Sequence, residues 1–134
     1  MTKIIYFIVQ GDSRYHEIFK HQLNKKGRAR IALVGSELRQ DLDGRLNDHS
    51  INIFHGGRRR DRQSAEVLEA ILAPIQTRLI STDYVIKAQD ISGIIDEIND
   101  TGIIVGHRWS IDSYLKTLGL PKINPRAYFK LEVE

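Results

Sequence analysis

Three short stretches of the chain place polar, phosphate-competent groups directly after apolar runs. Gln10-Gly11-Asp12-Ser13 follows Lys3–Val9, His55-Gly56-Gly57-Arg58-Arg59-Arg60-Asp61-Arg62 follows Ser50–Phe54, and Gly106-His107-Arg108 follows Ile103–Val105. Arginine grips phosphate oxygens with two parallel N–H donors. Histidine changes charge near neutral pH, and a glutamine amide can donate to an oxyanion. A run of arginines is ordinarily a solvated helix face. Here Arg58, Arg59, Arg60 and Arg62 crowd a helix start, where free N–H groups and the macrodipole already make the potential positive. An anion bound there would relieve the crowding, and Arg60 is expected to dominate its binding. Ser13, Arg58 and Arg108 are expected helpers.

His107 ends an apolar strand directly after a glycine, and two readings stand side by side. It is either a core or cap histidine satisfied by backbone groups, or a ligand to an anion. His55 is a weaker case of the same kind, while His16, His21 and His49 read as surface residues. None of the five histidines has metal-ligand spacing, so no metal and no cofactor are expected. Walker A, GxGxxG and GxSxG patterns are absent, and Gly56-Gly57 reads first as a turn. Trp109 reads as a pocket-lining or half-buried side chain.

These groups need a scaffold that brings strand ends together. Lys3–Val9 is continuously β-branched or aromatic, the pattern of a strand buried on both faces. Residues 14–23 read as loop with a short helical turn. Asn24 caps a helix with Ile31, Val34, Leu38 and Leu42 on one stripe, ending at Asp43-Gly44. After the strand at Ser50–Phe54, a helix carries Leu68, Ile71, Leu72 and Ile75 and stops near Pro74. A strand is expected over Arg78–Ile86, interrupted at Ser81-Thr82-Asp83. Asp90 is expected to cap a helix bearing Ile91, Ile94, Ile95 and Ile98. Strand Ile103–Val105 precedes a helix from Ser110 to Leu118 that Gly119 and Pro121 close. Arg126–Val133 reads as an edge strand. Strands alternating with amphipathic helices predict one α/β domain over residues 1–134, three layers with a mostly parallel sheet. In such sheets ligands collect at the carboxyl ends of strands. The strand ending at His55 is expected beside the first strand, which would turn His55 toward the same pocket.

The 134 residues carry no cysteine, which removes disulfide frameworks, thiolate nucleophiles, zinc ribbons and iron–sulfur clusters. The run at Ile4–Val9 is too short to span a membrane and lacks the features of a signal peptide, so a cytoplasmic protein is expected. The net charge of +3 is uneven: residues 1–67 hold 13 Lys+Arg against 8 Asp+Glu, and residues 68–134 hold 7 against 9. The first half therefore favours anions, whether phosphorylated small molecules, phosphoproteins or nucleic acid. The aromatic residues lie at core strand positions, which argues against an RNA-recognition sheet.

In order and spacing the chain resembles the histidine phosphatase (phosphoglycerate mutase-like) superfamily, especially its short phosphohistidine phosphatases. The family's opening Arg-His-Gly-Glu/Asp-Ser/Ala stands here as Val9-Gln10-Gly11-Asp12-Ser13. Its Leu-Thr-x-x-Gly-x-x-x-Ala helix start is matched by Leu23-Asn24-Lys25-Lys26-Gly27-Arg28-Ala29, with the alanine out of step with the family's spacing. Its Ser-Ser-Pro, Arg, Gln-Thr-Ala element corresponds to His55-Gly56-Gly57, Arg60 and Gln63-Ser64-Ala65, and its final Gly-His to Gly106-His107.

The resemblance implies a covalent chemistry in which the first histidine attacks phosphorus, two arginines and the second histidine clamp the phosphoryl oxygens, and an acid protonates the leaving group. That acid role is open to Asp83 and Asp90, with nothing to choose between them. Arg60 matches the second arginine and His107 the second histidine. Gln10 stands at the nucleophile's place and Val9 at the first arginine's. A glutamine amide cannot form a phosphoenzyme, because its nitrogen lone pair is delocalised into the carbonyl. The expectation is a phosphatase-like protein without catalysis that binds a phosphate-bearing small molecule or phosphoprotein through Gln10, Arg60 and His107. Two alternatives stand beside it: an active phosphatase using His55 as substitute nucleophile with His107, and a basic nucleic-acid or partner-binding module.

Overall fold

A computed structural model describes residues 2–11, 23–43 and 50–134. Among the described residues five strands and four helices alternate: β1 (Lys3–Val9), α1 (Lys25–Asp43), β2 (Ile51–His55), α2 (Arg59–Leu72), β3 (Thr77–Ser81), α3 (Ala88–Glu97), β4 (Thr101–Gly106), α4 (Arg108–Thr117) and β5 (Phe129–Val133). The sheet order is β3-β2-β4-β1-β5, parallel throughout except for the antiparallel edge strand β5. Alternation along β1 sorts the core into two layers. Tyr6 and Ile8 pack with Ile31, Val34, Leu38 and Leu42 of α1 and Leu68 and Leu72 of α2. Ile5, Phe7 and Val9 pack on the other face with Ile91, Ile94 and Ile95 of α3 and Ile111 and Leu115 of α4. This is the expected three-layer α/β domain, and among its described helices none is long and apolar enough to cross a membrane.

Parallel pairing puts the carboxyl ends of β1, β2 and β4 at the same edge of the sheet, with β1 and β4 adjacent through Ile8↔Val105 and Val9↔Gly106. Strand β2 pairs with β3 and β4. His55 therefore does not end a neighbour of β1, as expected from sequence; β4 intervenes. Several boundaries also differ. Strand β3 stops at Ser81 because Thr82-Asp83-Tyr84 turns back, with Gly57 donating to the Asp83 carbonyl at 2.9 Å. Asp90 is not the cap of α3 but lies inside its first turn, accepting the Lys87 N–H at 3.1 Å. Helix α4 begins at Arg108, two residues before Ser110, because His107 caps it. Strand β5 starts at Phe129 rather than Arg126. Of the loop expected over residues 14–23, positions 14–22 lie outside the described residues, as do Gly44 and the histidines His16, His21 and His49.

Asn24 caps α1 as expected, its Oδ1 accepting the Gly27 N–H at 2.7 Å. Asn24→Ala should lower stability by about 1 kcal/mol, and Asn24→Ser should retain most of it. Urea denaturation midpoints of the two variants check this.

Candidate functional site

Three chain segments are latched together at the carboxyl edge of the sheet. The Gln10 N–H donates to the Gly106 carbonyl at 2.9 Å, extending the β1–β4 ladder by one residue. Gln10 thus lies beside the Gly106-His107 turn. One residue on, the Gly11 N–H donates to Ser64 Oγ at 3.0 Å, and that hydroxyl donates to the Arg60 carbonyl at 2.7 Å. Wholly buried Ser64 so ties the first turn of α2 to the end of β1. Gly11 is required by close approach: a Cβ there would sit 2.2 Å from Leu23 Cδ1 and 3.0 Å from the Gly27 carbonyl oxygen.

The arginine-rich start of α2 already has an anion of its own. Arg58, the N-cap residue, donates from Nε to Asp61 Oδ2 at 3.0 Å and from a terminal nitrogen to Oδ1 at 3.3 Å. Asp61 is 1% exposed and also lies 4.0 Å from Arg60 Nε. A carboxylate in the first turn complements the helix dipole as well. The need for an anion at this helix start is therefore met partly from within the chain. Gly56 makes room for the pair, since a Cβ there would stand 2.5 Å from Asp61 Oδ2. Arg59 and Arg62 are exposed, and Arg62 pairs loosely with Glu66 at 3.9 Å.

His107 is a helix cap that also faces a cavity. Its Nδ1 accepts the Trp109 N–H at 3.1 Å, which leaves the proton of the neutral ring on Nε2. Burial lowers its pKa below the ordinary histidine value; Arg60 and Arg58 lower it further, and Asp61 partly opposes them. The ring is neutral at pH 7 and can donate from Nε2. Trp109 is 73% exposed, not half-buried as expected.

Val9, Gln10, Gly11, Arg30, Arg60, His107, Arg108 and Pro125 line a cavity of about 460 Å³. Gln10, Arg60 and His107 come together there, with Arg108 at their side. Arg58 is not in the lining; its guanidinium is committed to Asp61. His55 is not in it either: it is buried, with Nδ1 2.7 Å from the Gly56 carbonyl oxygen. Asp83 and Asp90 line a separate cavity between β3 and α3. Ser13 lies outside the described residues. Arg30 of α1 and Pro125 are the lining residues that the sequence does not single out, and Arg30 is the charged one. It donates to the carbonyls of Val9, Gln10 and Pro125. Those partners lie about 20 and 95 positions away, so spacing within α1 does not separate it from solvent-facing Arg28.

The fold is that of solved phosphohistidine phosphatases and phosphoglycerate mutase-like proteins. SixA from Nakamurella multipartitia is 13% identical, with a TM-score of 0.67 over 98% of this chain and 85% of that one. The protein histidine phosphatase SixA in complex with tungstate is 13% identical, with a TM-score of 0.59 over 84% and 74%. Phosphoglycerate mutase from Plasmodium falciparum is 16% identical, with a TM-score of 0.60 over 90% and 72%. No protein-family model and no curated protein sequence matches the chain.

Asp61→Asn should destabilise the fold by about 3 kcal/mol, because buried Arg58 loses its counter-charge; thermal or urea unfolding measures it. Sulfate, which stays dianionic, should bind more tightly as pH falls through the His107 titration. The bound anion favours imidazolium, so the bound pKa exceeds the lowered free one, and affinity rises only between the two. His107→Asn retains a cap acceptor and should flatten that pH profile in calorimetric titration.

Proposed function

We propose that the protein binds a phosphate-bearing small molecule or phosphoprotein at the end of β1 and β4 and does not hydrolyse it. One observation carries this reading: Gln10, Arg60 and His107 line a single cavity, although they lie far apart in the chain. Arg60 supplies charge and a planar donor fork, His107 a neutral Nε2–H that can gain a second proton, and Gln10 an amide donor. The free N–H groups at the starts of α2 and α4 add positive potential. The fold's hydrolytic chemistry requires a nucleophile where Gln10 stands, and a carboxamide cannot serve.

An aryl phosphate should be hydrolysed at background rate. Gln10→His alone should restore little, because Val9 leaves the place of the first family arginine apolar. Arg60→Ala should weaken phosphate binding by about 2 kcal/mol, because it removes a charge-assisted hydrogen bond to the anion. Arg59→Ala and Arg62→Ala should have much smaller effects. Calorimetric titration of phosphate against the three variants tests this. Equal small losses would indicate a diffuse basic surface, and brisk turnover abolished by His55→Ala would indicate the substitute nucleophile instead.

A further inference from the structure

Strand β3 ends the sheet and, among the described residues, pairs with β2 alone. The Ile51 N–H donates to the Gln76 carbonyl and the Thr82 N–H to the His55 carbonyl, each at 2.9 Å. Backbone groups alternate sides along a strand, so positions 76, 78, 80 and 82 face β2. Thr77, Leu79 and Ser81 therefore turn their N–H and C=O groups outward, and no described backbone pairs with that side. Such a row of donors and acceptors is a template for one more strand. The opposite edge strand, β5, carries Lys130 and Glu132, charges that discourage added pairing. Strand β3 has no proline and a single charge, Arg78.

A groove of about 710 Å³ lies between this edge strand and α3. Ile80 and Ile94 give it apolar surface. Asp90, Gly93, Ile94 and Glu97 line it from α3 at the i, i+3, i+4, i+7 spacing of one helix face. Gly93 leaves room, since a Cβ there would meet no atom within 4 Å. Asp83, Asp90 and Glu97 place carboxylates in the lining, and no lysine or arginine joins them. Among the described residues none of the three has an ion pair. Asp90 accepts the Lys87 N–H at 3.1 Å, while Asp83 and Glu97 are exposed.

We propose that β3 takes an extended segment of a partner protein, bearing lysine or arginine, as an added strand. The carboxylates alone would attract any cation; the open edge is what calls for an extended chain. Backbone bonds to Thr77, Leu79 and Ser81 supply the affinity, and basic side chains at alternate positions reach over the groove toward Asp83 and Glu97. The groove shares no lining residue with the cavity at the ends of β1 and β4, and the inference stands apart from the phosphate reading.

Fluorescence anisotropy of the full chain with short dye-labelled peptides tests it. A peptide alternating lysine and valine should bind. The same peptide N-methylated at every residue keeps its charge but cannot pair as a strand. A peptide alternating glutamate and valine can pair but carries the wrong charge. Each of these two should bind about tenfold more weakly or worse. Asp83→Asn combined with Glu97→Gln, both at exposed positions, should weaken the lysine peptide about fivefold. Ser81→Pro removes an outward N–H and no bond to β2, and should weaken it as well. Absence of binding by the lysine peptide would overturn the inference. So would equal binding of its N-methylated form, or no loss in the Asn/Gln variant. A dimer of the chain in analytical ultracentrifugation that Ser81→Pro dissolves would also overturn it, giving the edge to a second copy.

Discussion

Asp61 is the charge around which the carboxyl edge of the sheet is organised. A carboxylate this deeply buried must be paired and hydrogen-bonded, and Arg58 provides both by donating twice to its oxygens. That pairing fixes the extended backbone at the helix cap and requires glycine at position 56. It also divides the arginine run by role. Arg58 is spent on structure, Arg59 and Arg62 face solvent, and Arg60 reaches the cavity. Without the buried acid, several cations at one helix start would repel each other and the macrodipole.

Helix α4 carries the second coupling. His107 ends β4, caps α4 and lines the cavity, so its ring links the sheet, a helix start and the cavity wall. A cap acceptor must be neutral, and burial, then the neighbouring arginines, favour that form. A dianion favours the other form, so a proton taken up with the ligand would be taken up at the cap bond. The serine latch then matters, since Ser64 keeps Arg60 beside Gln10 by tying α2 to the backbone of β1.

Much of this architecture is legible in the sequence because it depends on local pattern. The β-branched run at Lys3–Val9, the stripe of α1 and the Asn24 cap declare themselves within a few residues, and the structure has them as read. The grouping of Gln10, Arg60 and His107 is legible too, as successive strand ends in an α/β pattern and as the order of a family's motifs. What the sequence hides is partnership at long range. Asp61 looks like one more charge in a run, yet its burial decides what the arginines do. Arg30 looks like a surface residue of α1, and its partners lie on β1 and before β5. The place of β4 between β1 and β2, which separates His55 from β1, is a matter of strand order that local pattern cannot reveal.

Whether Gln10, Arg60 and His107 form one anion site with no nucleophile is tested most directly by a crystal structure of the protein soaked in orthovanadate. Vanadate reports both the site and any covalent attachment. The expected result is a tetrahedral anion within hydrogen-bond distance of the Gln10 amide, the Arg60 guanidinium and His107 Nε2, bonded to none of them. Vanadate bonded to His55, or bound only at Arg59 and Arg62 on the surface, would contradict it.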